Sequence, residues 1–220
     1  MPKKGMAPLR RSQVINAVFG HVAENGLENL TLDRIAARAG VSKGVISYYF
    51  KNKRTLLLES FKAFLEGYNE EIMKSFRPGM SALDLLFLII GATLRPKAAP
   101  ISPREPPRPK SGNEPPNQDR TPRLEEYPKV FFHFVQKSIL DREFRKIVIE
   151  MYGMFLRSTV QAIEYGIERS EFRQVDARAA SYGLFALMDG ILLHRAMGFK
   201  PMDLESVEKI CRDYIGALRN

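Results

Sequence analysis

An all-α fold of roughly nine helices is what the sequence predicts, and three observations carry that prediction. No segment of the 220 residues sustains the period-2 alternation of a strand. Apolar residues instead return at helical spacing along almost the whole chain. The breaks in that spacing fall on helix punctuation, at Asn25-Gly26, Thr31, Gly40, Ser42, Pro78-Gly79 and Asp176.

The first helix is expected over residues 10–25, where Val14, Ile15, Val18, Phe19 and Val22 share one face. Thr31 then caps a short helix whose inward side is Leu32, Ile35, Ala36 and Ala39. Gly40 frees the backbone for a tight turn, and Ser42 caps a third helix that ends near Phe50. A long helix starts after Asn52 and runs to about residue 76, with Leu56, Leu57, Phe61, Phe64 and Leu65 on a wide apolar face. Residues 81–94 are strongly apolar and read as a buried helix. Helical spacing resumes at Glu125 through VFFHFVQKSIL and again over residues 141–170. Asp176 caps a helix to about residue 197, and the GFKPMD break at 198–203 precedes a last helix to residue 218.

Between the two halves the character of the chain changes. Residues 95–123 hold nine of the fourteen prolines and a single large aliphatic residue, Ile101, so they bury too little apolar surface to offset their ordering entropy. A mobile insertion is expected there. Its Pro100, Pro103, Pro106 and Pro109 repeat a PxxP spacing that suits a polyproline-binding partner, although a passive insertion explains them as well.

The formal charge of +9 is unevenly placed. Residues 1–54 carry ten lysines and arginines against Glu24, Glu28 and Asp33, and residues 95–123 carry the other excess. A localised basic patch is the footprint of a polyanion-binding module. The longest apolar run, residues 85–90, is far below the ~18 residues of a membrane span, and the basic N-terminus has no apolar stretch behind it, so a soluble cytoplasmic chain with no membrane partner is expected. Cys211 stands alone, which excludes an intrachain disulfide and a cysteine-rich metal site. No GxGxxG, P-loop, HExxH or nucleophile-elbow sequence is present, so an enzyme is not expected. His133 and His194 have no second ligand at helical spacing and read as core or interface histidines; no metal and no cofactor are expected.

The stretch AGVSKGVISYYFKNK, residues 39–53, carries the functional signal. Two short helices joined by AGVS match a helix-turn-helix, in which the second helix enters the DNA major groove. Its inward side is Val41, Ile46, Tyr49 and Phe50, which leaves Lys43, Gly44, Val45, Ser47 and Tyr48 facing outward. Lys43 can donate to guanine or a phosphate, Gly44 permits close backbone approach, Val45 suits a thymine methyl, and Ser47 and Tyr48 can hydrogen-bond. Thr31, Ser42, Tyr49 and Lys53 are the candidates for positioning on phosphates, with Lys3, Lys4, Arg10 and Arg11 as further basic groups.

TLDRIAARAGVSKGVISYYFKNKRTLLLE, residues 31–59, resembles the DNA-binding domain of TetR-type transcriptional regulators. Ser47, the opening MPKKGM and YGLFALMDGILLHRAMG at 182–198 look like the BetI-like branch, repressors of choline-to-betaine genes. The resemblance implies a DNA-binding domain at 1–54 and a helical ligand-sensing and dimerisation domain at 55–220, with the insertion at 95–123 where the family has a short connection. It also implies that the last two helices pack against a second copy, and that a small molecule, choline-like in that branch, releases the operator. Independently, Tyr182, Leu184, Phe185, Leu187, Met188, Ile191 and Leu192 cover more than one stripe of a single helix and so need two packing surfaces.

Gly183, Leu187, Gly190 and His194 are the candidate dimer residues, and Asp189 needs a hydrogen-bonding partner if buried. Candidate ligand-lining residues are Phe61, Phe64, Phe87, Phe131, Phe134, Met151 and Phe155, suited to an apolar or cationic ligand, with most of them expected to be ordinary core. The expected function is a homodimeric, ligand-responsive repressor on a near-palindromic operator. The competing reading is a helical adaptor whose proline-rich loop recruits proteins without specific DNA binding.

Overall fold

A computed structural model describes residues 6–94, 126–199 and 203–219; the proline-rich stretch, Lys3 and Lys4 lie outside the described residues. Among the described residues there are nine helices: α1 (Met6–Asn25), α2 (Leu32–Arg38), α3 (Lys43–Tyr49), α4 (Lys53–Ser75), α5 (Ala82–Leu94), α6 (Tyr127–Leu140), α7 (Arg142–Glu168), α8 (Ala177–Ala196) and α9 (Leu204–Gly216). No strand forms among them, and the one isolated antiparallel bridge joins Phe172 to Arg219. The expected order and punctuation hold. Only α1 departs by a full turn, beginning at Met6 instead of residue 10. Pro8 is no obstacle there, because the N–H groups of a first helical turn have no partner within the helix.

The described residues fall into two compact units. One contains residues 6–67 and 126–144, the other 68–94 and 145–219. In the first, α1 packs on α2, α3 and α6. Its centre is a run of aromatic rings: Phe61 stacks on Phe134 at 4.6 Å, Phe144 lies 6.2 Å from both, and Phe64 meets Phe19 at 5.6 Å and Tyr127 at 5.9 Å. Phe131 joins it 6.5 Å from Phe64. Such pairs stabilise by roughly 0.5–1.5 kcal/mol each beyond the area they bury. Burial without a hydrogen-bond partner pushes the Tyr127 phenol well above its usual range.

His21 is buried in the same unit with no hydrogen-bond partner for its Nε2. Desolvation lowers its pKa, the nearby Arg38 and Arg34 add to that, and the Asn29 backbone and Glu24 oppose it.

In the second unit α8 packs on α9. Val207, Cys211, Ile215 and Leu218 form the buried stripe of α9. The α7 C-terminus closes tightly: a Cβ at Gly166 would lie within 3 Å of the Phe172 ring and of the Ala82 methyl, so only glycine lets those groups meet the helix. Ser170 takes a left-handed φ of 58° at the turn that follows, and Glu171 reaches back to accept from the Ala82 N–H at 2.8 Å, capping α5. Arg173 then bonds the carbonyls of Leu218 and Ala217, which ties this turn to the end of α9.

Two measurements follow. Gly166→Ala overpacks a closed site and should lower stability by about 1–3 kcal/mol in denaturant unfolding. His21, depressed in the folded state, contributes stability that is complete above the ordinary imidazole value of ~6.5 and is lost as pH falls from there through the lower folded value. Melting curves from pH 7 to 5 should therefore drop more steeply for the native chain than for His21→Asn.

Candidate nucleic-acid interface and ligand cavity

The seven residues of α3 are too few to form a stable helix alone, so their orientation is set by what they bury. Ile46 and Phe50 are at 0% and 1% exposure, and Val41 and Tyr49 are half-buried, as the inward face requires. Arg11 of α1 lies 5.8 Å over the Phe50 ring while its guanidinium pairs with Glu59 at 2.6 Å, which ties α1 and α4 to the end of α3. Arg11 is thus engaged inside the unit, and Arg10 bonds Gln13 at 3.2 Å.

Caps fix where the helices begin. Thr31 Oγ1 accepts from the Arg34 N–H at 3.2 Å, Ser42 Oγ accepts from the Val45 N–H at 3.3 Å, and Asn52 Oδ1 accepts from the Thr55 N–H at 2.8 Å. Gly40, at φ 62°, makes the turn between α2 and α3. Both Thr31 and Ser42 are exposed.

Lys43, Gly44, Ser47 and Tyr48 are all exposed on α3, Tyr48 at 73%, with Val45 half-buried beside them. Tyr48 and Tyr49 pack edge to face at 5.0 Å, so the outward ring is oriented by the half-buried one. Lys43 Nζ forms a 3.0 Å ion pair with Asp33 of α2, a contact not anticipated from spacing because it crosses the turn. Both partners are exposed, and such a pair contributes little stability. Lys53 is half-buried at the start of α4. One short helix therefore presents an ammonium, a hydroxyl, a phenol and a bare backbone position on one side, the donor set that reads base edges and phosphates.

The seven residues singled out as ligand lining are not brought together. Phe61, Phe64, Phe131 and Phe134 are core rings of the first unit, stacked on one another and on their neighbours. In the second unit Met151 is buried, and Phe87 lies under the Arg212 guanidinium, 4.7 Å away, beside a small cavity of about 110 Å³. Phe155 alone faces a larger cavity of about 590 Å³.

Three helices of the second unit build that cavity. Asn69, Ile72, Met73 and Phe76 come from one side of α4, and Leu85, Leu88 and Ile89 from α5. α7 supplies Met154, Phe155, Ser158, Gln161 and Ala162. The spacing 69, 72, 73, 76 is a single helical stripe and was the available sequence signal; nothing in the sequence said that the stripe borders a cavity and not a core. Phe155 also meets the Phe185 ring edge to face at 6.0 Å, as Tyr152 does at 6.1 Å. A second cavity, of about 540 Å³, lies in the first unit between the α1–α2 turn, Lys53, and His133 and Lys137 of α6.

Of the candidate dimer residues, Gly183 is used within the chain. A Cβ there would collide with the Tyr214 hydroxyl, which instead donates to the Ala180 carbonyl at 2.9 Å. Gly190 has open space around it, Leu187 is half-buried, and His194 is exposed against the Phe199 ring at 5.2 Å. Asp189 accepts from the Tyr152 hydroxyl at 2.8 Å; burial raises the pKa of its carboxyl while that bond opposes the rise. Tyr182, Leu193, Met197 and Phe199 leave apolar surface exposed along α8 and just beyond it. Among the described residues no group of acidic, histidine or cysteine side chains can hold a metal, and no helix is long and apolar enough to cross a membrane.

Comparison with known proteins agrees with this geometry. Residues 21–60 match the family model for bacterial regulatory proteins of the tetR family, and residues 117–220 match the model for the C-terminal part of BetI-type transcriptional repressors. The HTH-type transcriptional regulator BetI of Klebsiella pneumoniae is 28% identical over 217 residues, covering 98% of this chain and 96% of its own. That of Cronobacter sakazakii is 29% identical over 218 residues, covering 98% and 93%. In fold, the chain is similar to a transcriptional regulator of Saccharomonospora viridis solved with choline, with a TM-score of 0.75 at 19% identity over 94% of this chain and 95% of that one. FadR of Bacillus subtilis, solved with stearoyl-CoA, gives 0.64 at 20% identity over 94% and 96%.

The caps give a direct check on the local structure. Thr31→Ala and Ser42→Ala should each lower stability by about 1 kcal/mol, measured by thermal unfolding.

Proposed function

Since the chain belongs to the TetR family of transcriptional regulators, with a C-terminal half of the BetI type, we propose that it is a dimeric repressor that binds a near-palindromic operator through α3 and is released by a small molecule. The observation that carries the reading is the exposed side of α3, where Lys43, Gly44, Ser47 and Tyr48 stand together on a helix whose other side buries Ile46 and, at its end, Phe50. In this reading Lys43 and Tyr48 reach base edges with Ser47 and the Val45 side chain, while Thr31, Ser42, Tyr49 and Lys53 fix the register on phosphates.

Two copies are required by the target. A single α3 spans a few base pairs, and a palindrome presents its second half-site about 34 Å away, one turn of the duplex. The exposed Tyr182, Leu193, Met197 and Phe199, next to Leu187, Gly190 and His194, support α8 as the surface on which the copies meet. A four-helix arrangement of α8 and α9 with their partners then sets the separation of the two α3 helices. The domain roles in this reading are residues 1–54 for DNA and residues 55–220 for ligand and dimer, a division by role that differs from the packing, where residues 55–67 and 126–144 belong to the unit that holds α1–α3.

Release works through differential affinity. A ligand that favours a conformation with the wrong α3 separation lowers operator affinity by as much as it prefers that conformation, and by no more. The 590 Å³ cavity lined by Phe155 is the space that supports such a ligand, and its size suits a drug-sized molecule. Two proteins of similar fold were solved with small molecules, choline in one and stearoyl-CoA in the other. The adaptor reading has no support from a buried α3 partner face or from a lost cap, since both are intact.

Selection of bound duplexes from a random library tests the proposal. A palindrome should emerge, with log affinity falling linearly against log salt. Lys43→Ala and Tyr48→Ala should each cost about 1–3 kcal/mol on that palindrome and relax the preference at one base pair per half-site, whereas Lys53→Ala should weaken all sequences alike and reduce the salt slope by about one per site. Recovery of no sequence would overturn the reading.

A further inference from the structure

In the first unit, positive charge is left without a partner at one place. The cleft of about 540 Å³ between the α1–α2 turn, the start of α4 and the end of α6 is edged by Lys53 and Lys137, and neither forms an ion pair among the described residues. We infer that this cleft is a second ligand site, for a small organic dianion of the phosphate-monoester type.

The helix that forms its wall is not built as a core face. His133, Gln136, Lys137 and Leu140 recur at i, i+3, i+4 and i+7 on α6, so an imidazole, an amide, an ammonium and a leucine share one stripe toward the cleft. Lys53 comes from α4, so a dianion meets cations from two elements. The imidazole is brought close by Gly26, at φ 72°, where a Cβ would come within 3.0 Å of His133 Cε1.

The balance of charge favours an anion. The one carboxylate in the lining is Glu28, which is exposed. Asp141, next after Leu140, is already paired with Arg54 at 2.9 Å. Gln136 and Lys137 are exposed, so a bound dianion keeps part of its hydration and escapes the full cost of burial. Burial lowers the pKa of His133 and Glu28 opposes this, so the ring is a neutral donor at pH 7.

The cleft has room for more than the head group. A bare phosphate occupies a small part of it, and Leu27, Leu57 and Leu140 offer apolar surface to an organic body. Leu140 stands 92% exposed at its edge, ready to be covered.

The test follows the His133 imidazole resonance of the full-length protein, assigned from its loss in His133→Asn, with chloride holding ionic strength constant. The probes are inorganic phosphate, phenyl phosphate and phenol. Phenyl phosphate should bind tighter than inorganic phosphate, and phenol should leave the resonance in place. Lys137→Gln should weaken phenyl phosphate about two- to five-fold and Glu28→Gln should strengthen it about two-fold, both changes being at exposed positions. Sulfate, a dianion throughout the range, should raise the titration midpoint of His133, which faces Glu28, Lys53 and Lys137, by about 0.5. The inference is overturned if phenyl phosphate moves the resonance no more than chloride does, if it binds no tighter than inorganic phosphate, or if neither charge variant changes its affinity.

A consequence for DNA rests on the reading that Lys53 holds an operator phosphate, and it is measured separately on the selected palindrome. Phenyl phosphate should then weaken operator binding by the native chain and not by Lys137→Gln. Phenyl phosphate that fills the cleft and leaves the operator complex intact supports the site and overturns the placing of Lys53 on the operator. If instead Lys137→Gln itself weakens operator binding and lowers its salt slope while phenyl phosphate fails to bind, the cleft holds the operator's own phosphate and the small-ligand inference falls.

Discussion

Burial of Ile46 and Phe50 is the interaction on which the exposed face of α3 depends. Seven residues cannot hold a helix against solvent, so α3 exists because those two side chains are taken up by the unit formed by α1, α2, α4 and α6. With two positions fixed inside, helical geometry leaves Lys43, Gly44, Ser47 and Tyr48 outside. The cap at Ser42 sets the first residue of the helix, Gly40 sets the angle of entry, and Arg11 closes the far end over the Phe50 ring. Precision at the outward face is therefore inherited from packing at the inward one. The ring stack of Phe19, Phe61, Phe64 and Phe134 extends the same support to α4 and α6.

The second unit solves a different problem. It is firm where helices cross and leaves a cavity open to solvent elsewhere. Firmness comes from places where one side chain fills a space only glycine leaves, Phe172 at Gly166 and Tyr214 at Gly183, and from the Tyr152–Asp189 hydrogen bond between α7 and α8. The open part lies between α4, α5 and α7, where Met73 and Phe76 stay solvent-exposed beside the cavity.

Much of this was legible in the sequence. The caps at Thr31, Ser42 and Asp176 were readable because a hydroxyl or carboxylate before an apolar stripe has one local job, and that job needs only three residues of context. The inward and outward sides of α3 were readable for the same local reason. The start of α1 was not, since a proline in a first turn looks like a break when only its neighbours are considered. Gly183 and Gly190 lie at heptad spacing, where small residues admit a neighbour, yet the spacing does not name that neighbour; within the chain Tyr214 packs against Gly183.

What the sequence by itself determined is the all-α class, the order of the helices and the residues that face outward on α3, because each of these rests on helical periodicity and caps spanning a few residues. The tertiary structure alone decided which aromatic rings are core and which border space. Phe61, Phe64, Phe131 and Phe134 are indistinguishable from Phe155 by spacing, since all are apolar residues on apolar stripes. Their difference arises from whether the opposite helices supply rings that fill the gap, as Phe144 and Tyr127 do, or side chains that leave about 590 Å³ unfilled. Periodicity records that a residue is turned away from water; the volume it meets there is set by residues far away in the chain.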